Sequence, residues 1–548
     1  MSLPPPAPAP LAATDRRTLF KLGALGLGAL AAPALGQAAG GFTHGVSSGE
    51  PGPHQALLWT RYVGGGETRL TWEVAERDDF RRLAASGHAA ASPEHDWCAK
   101  AMARGLKPGR WYYYRFVAPS GAASVVGRTR TLPVGKTAKF RMAVFSCSNF
   151  GFGWFNAYAH AAVAGDFDLA LHLGDYIYEY KRGTYPSAKQ ALAERVLPLN
   201  EAIALAGYRE RLATYRADPD LQRLHQLLPM VAMWDDHETA NDTWKDGAEN
   251  HQPGEGDWAL RKAASERAWR EWLPVSDDDF AAYEIGDLAT LFRLETRHRA
   301  RTEPVDLVEA WKSAAPGQAE AALRVFRDGA WRDPGHTLLG RDQEAWLAAG
   351  LKRSKRARKT WQVLAQQVIM GRLALSDTVL AGLKPDAPGW LRDSLTAGVA
   401  AAREGLPYNM DAWDGYPAAR ERLLKSSLAA DANLLVLAGD SHNAWAFDLD
   451  HDGHRAGVEL AGHSVTSPGA ESSLPWIKPE TLARDTVAAN SQLKWCDTSR
   501  RGYLAVELTP AAATGEFRFM ATVREKGTAL AGTQRMTVLA GQRRFESG

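Results

Sequence analysis

Short apolar runs that end in polar residues recur along the chain from residue 138, and this pattern constrains the fold more than any other feature. Such runs are typical of buried strands in an α/β sheet, which present polar groups at their carboxyl ends. Helical stretches such as Trp258–Trp272 and Arg341–Ala349 lie between them. The pattern therefore predicts an α/β catalytic domain over 138–548 with its site at the strand ends. The runs are Phe140–Phe145, Leu169–Leu173, Met230–Trp234, Trp361–Ala365 and Leu434–Ala438.

The preceding segment, residues 42–135, has an all-β pattern. Thr68–Val74 alternates with period two, and Trp111–Val117 follows a turn at Pro108-Gly109. Short strands separated by Pro and Gly turns are typical of a small β-sandwich. A chain of 548 residues is also longer than one ordinary hydrophobic core supports. We therefore predict two domains, with a linker at Pro133–Thr137.

The charge balance gives no electrostatic argument for nucleic acid or an anionic membrane surface as the main partner. Lys and Arg number 65 against 63 Asp and Glu, and residues 1–37 hold three of the basic and one of the acidic residues. The remainder of the chain is therefore neutral. One basic run, Lys352–Lys359, is interpreted as a solvated helix end, with a polyanion-binding patch as the alternative.

The first 37 residues have the pattern of an export signal. Arg16-Arg17 precedes a weakly apolar, Gly-rich stretch, and Ala34-Leu35-Gly36 offers a small-residue cleavage site. This segment resembles a twin-arginine signal peptide, which implies a periplasmic or secreted protein handled by the twin-arginine export machinery. The alternative is a short membrane anchor over Leu22–Gly41, although Pro33 interrupts that stretch.

The strand ends offer a mixed set of metal ligands. Alone, each residue has an ordinary explanation as a helix cap or core side chain. If one sheet brought them to one edge, however, the carboxylates would repel each other unless a cation neutralised them. Thiolate and imidazole suit a transition metal, whereas carboxylates suit Ca²⁺, Mg²⁺ or Mn²⁺. The set is Cys147, Asp175, Tyr178, Asp235, Asp236, His237, Asp440 and His442.

Several motifs carry a family resemblance. Gly174-Asp175-Tyr176-Ile177-Tyr178 resembles the Gly-Asp-x-x-Tyr motif of purple acid phosphatases. With Phe145-Ser146-Cys147 and Gly439-Asp440-Ser441-His442, the chain resembles the alkaline phosphatase D (PhoD-like) family of metallophosphoesterases. Further motifs that support the resemblance are Trp234-Asp235-Asp236-His237-Glu238, Trp413-Asp414-Gly415-Tyr416-Pro417 and His44-Gly45-Val46-Ser47-Ser48-Gly49.

The resemblance implies a calcineurin-like fold, a sheet sandwich flanked by helices, preceded by the β-sandwich domain. It also implies hydrolysis of small-molecule phosphate monoesters and diesters by an iron and calcium centre. By position, Fe(III) would be held by Cys147, Asp175, Tyr178 and His442, and one or two Ca²⁺ by Asp175, Asp236 and Asp440. The fourth family motif carries a His where this chain has Gln366-Gln367, so an amide oxygen is a candidate replacement ligand.

The remaining candidate residues would act on the substrate. His237 follows a ligand and could protonate the leaving group. Asn149 and Asn241 are neutral donors for the phosphate, and Arg297 could pair with phosphate oxygens, as could Arg299. The alternative for both arginines is a salt bridge to the carboxylates of the sheet itself.

Two other functions are consistent with the sequence. The first is a phosphodiesterase for teichoic-acid-like polymers, phospholipid head groups or nucleotides, with access determined by the segment between Glu179 and Leu228. The second is a non-catalytic exported binding protein in which the metals are structural. A serine hydrolase is disfavoured because no Gly-x-Ser-x-Gly sequence follows a predicted strand of the α/β domain as a nucleophile elbow.

Overall fold

The computed structural model describes residues 41–546, so the predicted export signal at 1–37 lies outside the described residues. The strands within this range are β1 (Gly41–Gly49), β2 (Gln55–Val63), β3 (Thr68–Ala75), β4 (Leu83–Ala91), β5 (Cys98–Arg104), β6 (Trp111–Val117), β7 (Gly127–Arg130), β8 (Phe140–Phe145), β9 (Leu169–His172), β10 (Met230–Ala232), β11 (Ala281–Ile285), β12 (Ala289–Arg293), β13 (Trp361–Ala365), β14 (Leu434–Ala438), β15 (Ala444–His451), β16 (His454–Ala461), β17 (Leu493–Asp497), β18 (Gly502–Leu508), β19 (Ala512–Met520) and β20 (Leu530–Leu539).

Helices cover the outer faces of the strands and connect them. They are α1 (Asn156–Ala164), α2 (Leu205–Arg216), α3 (Pro219–Leu227), α4 (Trp258–Trp272), α5 (Leu307–Lys312), α6 (Ala319–Asp328), α7 (Gly340–Arg356), α8 (Gly389–Arg403), α9 (Pro417–Ala429), α10 (Ala470–Ser473) and α11 (Pro479–Ala489). Among the described residues, no helix combines the length and apolar character needed to cross a membrane.

Two large sheets form the catalytic part of the fold. The first has nine strands in the order β20-β19-β18-β8-β9-β10-β1-β2-β5, and the second has seven in the order β11-β12-β13-β14-β16-β15-β17. Within them, β8, β9 and β10 run parallel, as do β12, β13 and β14. Strands β13 and β14 are buried along their whole length, which explains why all their residues except Gln362 are apolar.

The two sheets pack face to face. Val144 and Leu171 of the first sheet share one hydrophobic core with Val363 and Leu435 of the second. The expected sheet sandwich flanked by helices is therefore confirmed. The simpler expectation that a single sheet carries all the polar strand ends is wrong, because β8–β10 and β13–β14 belong to different sheets. The sandwich nevertheless brings their carboxyl ends to the same side of the molecule.

The N-terminal all-β region is also confirmed, and it is joined to the first sheet by strand pairing. Strands β3, β4, β6 and β7 form a separate four-stranded sheet. That sheet packs on β1 and β2 through a core that includes Leu58, Val74 and Tyr114. Strand β1 pairs in parallel with β10 at Gly49 and Met230. A Cβ on Gly49 would lie 2.7 Å from the Met230 carbonyl oxygen, so this close junction requires glycine.

Candidate metal centre

Cys147 lies just beyond β8 in a backbone conformation that is uncommon for a side-chain-bearing residue. Its φ is +60°. Its amide donates a hydrogen bond to the Gly174 carbonyl over 3.2 Å, and its own carbonyl accepts one from Ser467 Oγ at 3.0 Å. The side chain is fully buried. Burial, and then the neighbouring Asp175, raise the pKa of the thiol well above its usual value, so a thiolate here requires a cation.

Asp175 and Tyr178 follow β9 and lie next to Cys147. A Cβ on Gly174 would lie 2.4 Å from the Cβ of Asp235, so glycine lets the ends of β9 and β10 approach. Tyr178 is buried, and its hydroxyl donates to Asp175 Oδ2 over 2.9 Å. The same hydroxyl lies 2.7 Å from Ser467 Oγ. Two predicted iron ligands are thus in direct contact.

His442 follows β14 on the second sheet and completes this group. Its Nδ1 donates to the Pro468 carbonyl over 2.9 Å, which turns Nε2 toward Tyr178, 3.1 Å from the phenolic oxygen. A hydrogen bond of this kind is how ligand imidazoles are usually oriented. Burial lowers the pKa of His442 to about 3, so the ring is neutral and able to bind a metal. One ligand atom each from Cys147, Asp175 and His442 lie within 4.8 Å of one another.

A second, purely acidic group lies beside the first. Ligand oxygens of Asp235, Asp236 and Asp440 fall within 4.8 Å of each other, and Asp175, Asp236 and His237 form a further group at the same limit. Asp175 and Asp236 therefore belong to two groups each and link the thiolate-containing part to the acidic part. The structure thus brings together a mixed-ligand group and an oxygen-rich group, and their division between two kinds of metal stays a prediction.

Several carboxylate oxygens of these groups have no hydrogen-bond donor. Among the described residues, Asp175 Oδ1, Asp235 Oδ2 and Asp236 Oδ1 are buried without a partner. Burial above all, together with neighbouring carboxylates, raises the pKa of Asp175 and of Asp440 well above the usual value. Buried carboxylates that lack donors are costly unless a cation neutralises them. The donor set therefore fits bound metal ions.

Arg297 follows β12 and forms salt bridges with the carboxylates of the centre. Its guanidinium is fully buried, with Nε 2.5 Å from Asp235 Oδ1 and Nη1 2.8 Å from Asp411. Its Nη2 lies 3.8 Å from Asp236 and 3.6 Å from Asp440. The salt bridges of the alternative interpretation are therefore present. Nη2 has no hydrogen-bond partner among the described residues, and the pairing of Arg297 with phosphate oxygens stays a prediction.

Arg299 does not join the centre. It pairs with Glu266 at 2.9 Å and with Asp279 at 2.7 Å, and a third of its side chain is exposed. This is also the salt-bridge alternative. Arg299 is therefore a suitable control for Arg297, because it belongs to the same segment but its ion pairs involve none of the candidate metal ligands.

His237 lies next to Asp175 and Asp236, the two aspartates that link the groups, and is hydrogen-bonded to Glu179. Its Nδ1 donates to Glu179 Oε2 over 2.8 Å, and its ring lies against Tyr178 with 4.3 Å between ring centroids. Burial alone would lower the pKa of His237, but Asp236 and Glu179 outweigh it and raise the pKa well above its usual value. The ring is therefore a buried proton carrier with one face toward the candidate ligands.

The two candidate amides differ in their surroundings. Asn149 is fully buried, and its Nδ2 has no acceptor among the described residues. Asn241 is half-buried, with its Nδ2 3.2 Å from Glu249 Oε2 and its backbone amide 2.9 Å from Glu179 Oε1. Asn149 thus has a free donor beside Cys147, whereas the side chain of Asn241 is engaged with Glu249.

Neither glutamine after β13 presents a free oxygen to the centre. Gln366 Oε1 accepts a hydrogen bond from Trp413 Nε1 at 3.0 Å. Gln367 Oε1 accepts from Thr296 Oγ1 at 2.7 Å, and its Nε2 donates to the Trp234 carbonyl at 2.7 Å. Both side chains tie strand ends together, so the proposed amide ligand at this motif is not supported by their contacts.

Sequence reasoning missed several residues that support the centre. Glu179 accepts a hydrogen bond from His237. Ser467 contacts both Tyr178 and the carbonyl of Cys147. The Tyr185 hydroxyl lies 3.3 Å from His442 Nδ1. Glu238 was noted only as part of a motif, yet it accepts backbone amides from Asp235, Asp175 and Tyr176. Glu179 and Glu238 had a signal in the sequence, since each is an acidic residue directly after a candidate site residue, Tyr178 and His237 respectively.

The chain is similar in sequence and in structure to proteins of one family. Family models for the PhoD-like phosphatase and for its N-terminal domain match residues 142–517 and 29–133. Alkaline phosphatase D of Bacillus subtilis (strain 168) is 32% identical over 515 residues, which is 89% of this chain and 79% of that protein. A solved structure of PhoD superposes with a TM-score of 0.75 at 29% identity, covering 94% of this chain and 93% of that one.

The two-sheet fold, the grouped ligands and these similarities define a phosphoric ester hydrolase with a candidate metal centre. The chain belongs to the PhoD-like phosphatase family. The resemblance seen in the sequence is thereby confirmed, and the alternative of a non-catalytic binding protein is set aside.

Proposed function

We propose that the protein releases inorganic phosphate from phosphate monoesters and diesters at an iron and calcium centre. The observation that carries the proposal is the contact between a buried cysteine–tyrosine–histidine group and an acidic group through shared aspartates. Thiolate, phenolate and imidazole are ligands suited to Fe(III), and carboxylates to Ca²⁺. When bound, the metals would supply the positive charge that neutralises phosphoryl oxygens and acidifies a water.

The side chains of the protein would divide the remaining work. Cys147, Asp175, Tyr178 and His442 would hold Fe(III), and Asp175, Asp236 and Asp440 one or two Ca²⁺. Asn149 would use its unpartnered Nδ2 to bind a phosphoryl oxygen. His237 would protonate the leaving alkoxide from Nε2, because Nδ1 is engaged with Glu179.

The experiment that tests this proposal combines metal analysis with a substrate panel. Purified wild-type protein should contain iron and calcium and show a visible charge-transfer band. Cys147→Ala should lose iron, the band and activity together. Cys98→Ala is the matched control, since Cys98 is also a buried free cysteine but lies in the core beside Trp59. A colourless, iron-free wild type with full activity would refute the iron assignment.

The same panel tests the range of substrates. Monoesters and diesters with a common leaving group should both be hydrolysed. Activity confined to diesters of polymers or phospholipid head groups would favour the phosphodiesterase alternative. The metal content would be unchanged in that case, so the two parts of the proposal are tested separately.

We also infer export by the twin-arginine route, on the strength of Arg16-Arg17 and the small-residue site at Ala34–Gly36. Arg16→Lys with Arg17→Lys should retain the protein in the cytoplasm. Fractionation of cells that express the wild type and the double variant would measure this. Equal export of both would exclude the twin-arginine route.

A further inference from the structure

A cluster of basic side chains lies where α7 leads into β13. Arg543 and Lys355 both pair with Asp431, and Lys359 pairs with Glu284. The other five are exposed, and none has a carboxylate oxygen within 4.0 Å among residues 41–546. We call this set the basic patch: Lys352, Arg353, Lys355, Arg356, Arg358, Lys359, Arg543 and Arg544.

Helix stability explains only part of this cluster. Cations in the last turn of α7 interact favourably with the helix dipole. Lys352 and Arg356, however, are four residues apart on the helix, a spacing at which like charges destabilise it. Leu351 and Ser354 are buried against the protein, so the cations between them are directed outward. The patch therefore concentrates positive charge at some cost to the helix.

The patch borders a cavity whose cationic lining consists of three of its own members. This cavity has a volume of about 480 Å³ and is lined by Lys355, Lys359, Asn433 and Arg543, among others. Hydrogen bonding from Arg543 lowers the pKa of Asp431, so the one aspartate at its edge stays ionised and is already paired. An anionic group that enters this cavity would meet three cations, each of which already has one carboxylate partner, so the unpaired charge lies outside the cavity on the exposed residues of the patch.

The patch lies at the end of the sheet opposite the metal centre. Thr360 directly precedes β13 and Asn433 directly precedes β14, whereas Gln367 and Asp440 follow the same strands. Strands of five residues separate the two ends by about 16 Å. A molecule held at the patch would therefore leave the centre open to substrate.

We propose that the basic patch binds a linear polyanion built of phosphodiester units. Four of the five unpaired cations, Lys352, Arg353, Arg356 and Arg358, lie on the last turns of α7 or just after it, and the fifth is Arg544. This is more positive charge than one small anion neutralises, so it suits a chain of repeated charges better than a single ion. A membrane surface is disfavoured because Leu539, 40% exposed, is the only exposed large hydrophobic side chain adjoining the patch within residues 41–546, and peripheral membrane binding uses several. Residues 38–548 carry 62 basic and 62 acidic residues, so without the eight cations of the patch the balance is 54 to 62, a net charge of −8. This local positive charge therefore determines where such a polymer docks.

Fluorescence anisotropy of the holoenzyme with labelled poly(glycerol phosphate) tests the proposal. The test variant is K352Q/R353Q/R356Q/R358Q, and the control is R81Q/R82Q/K136Q/K139Q, which removes four exposed cations elsewhere. Wild type and control should bind alike. The patch variant should bind more weakly, and the slope of log Kd against log salt should fall by about 3, since each phosphate contact contributes about 0.7 for single strands.

Several outcomes would overturn the proposal. These are no binding by the wild type, equal losses in both quadruple variants, or binding to vesicles of anionic phospholipid with none to the polymer. Hydrolysis of a small monoester should be unchanged in the patch variant, which verifies folding and separates this surface from the metal centre. If the quadruple variant does not fold, K352Q/R356Q should reduce the salt slope by about half as much.

Discussion

His237 Nδ1 donates a hydrogen bond to Glu179 Oε2 over 2.8 Å, and both side chains are buried. The other oxygen of Glu179 accepts from the Asn241 amide at 2.9 Å and from Asn250 Nδ2 at 2.8 Å. Glu179 therefore fixes the orientation of the imidazole and also connects it to the loop that follows. This makes Glu179 a positioning residue for the proposed leaving-group step.

Glu179→Gln should lower kcat for alkyl phosphates, because an amide leaves the imidazole less firmly held and less charged. We expect a loss of about tenfold, compared with about 10²–10⁴-fold for His237→Ala, the range for a general acid. Nitrophenyl phosphates should lose less in both variants, since a good leaving group needs little protonation. Steady-state kinetics on the two ester classes measures the difference.

Glu201→Gln is the control for that change. Glu201 contacts Asn250 Nδ2 at 3.2 Å and Arg261 at 2.9 Å but does not touch His237. It should affect both ester classes equally, if at all. If Glu179→Gln lowered kcat equally for alkyl and nitrophenyl phosphates, or lost metal, Glu179 would be a structural residue with no part in protonation of the leaving group.

Arg297 is predicted to act as a fixed countercharge for the acidic group. Its guanidinium faces Asp235 and Asp411 directly and lies within 4 Å of Asp236 and Asp440. Arg297→Met should destabilise the calcium-free protein by about 3–5 kcal/mol, the cost of breaking a buried ion pair. Calcium should offset part of this loss, because it neutralises the same carboxylates. Thermal unfolding with and without calcium measures both effects.

Arg299→Met provides the matched comparison, since its partly exposed ion pairs are worth about 0–1 kcal/mol. Its effect should be the same with and without calcium. If Arg297→Met destabilised the calcium-loaded protein as much as the calcium-free protein, the countercharge role would be excluded.

The dependence of activity on calcium should require the carboxylates of the acidic group, Asp235, Asp236 and Asp440. Asp236→Asn and Asp440→Asn each remove a carboxylate from the proposed calcium site, so both should lower calcium content and activity. Chelation should inactivate the wild type, and added calcium should restore it. Asp452→Asn, at an exposed turn between β15 and β16, should behave as wild type. Restoration by zinc alone would contradict the hard-ligand argument.

The local sequence pattern predicted those strands and helices in which apolar residues recur most regularly. Phe140–Phe145, Trp361–Ala365, Leu434–Ala438 and the helix Trp258–Trp272 have the predicted bounds. Strand β4 was missed because Leu83–Ala91 consists mainly of small, exposed residues. The division into two sheets was also missed, since strand pairing depends on contacts between residues far apart in sequence.

The candidate ligands were predictable because each lies in a short motif at a strand end. Their supporting contacts were not, because they connect distant segments. Tyr178 meets Ser467, which is 289 residues away, and Trp413 donates to Gln366 across 47 residues. Whether Arg297 faces substrate or carboxylates also depended on Asp411, 114 residues further along the chain. No spacing rule in the sequence anticipates such partners.

Stability should fall on the acid side because of His463, which is buried away from the metal centre. Its Nε2 donates to the Arg518 carbonyl at 3.1 Å, and Phe519 lies 4.8 Å from its ring. Burial lowers the pKa of His463 from 6.5 to about 4. Since the unfolded chain binds this proton more readily, unfolding is increasingly favoured as the pH falls from 6.5 to about 4.

The size of this effect is at most about 3.4 kcal/mol, because the pKa difference is about 2.5 and one pKa unit corresponds to about 1.36 kcal/mol. His463→Gln keeps a side-chain amide able to donate to the Arg518 carbonyl but does not titrate. It should therefore flatten the fall in unfolding free energy over this pH interval while it costs some stability at pH 8. Urea unfolding between pH 4 and pH 8 would measure the slope. An identical slope in His463→Gln and wild type would assign the acid sensitivity to other groups.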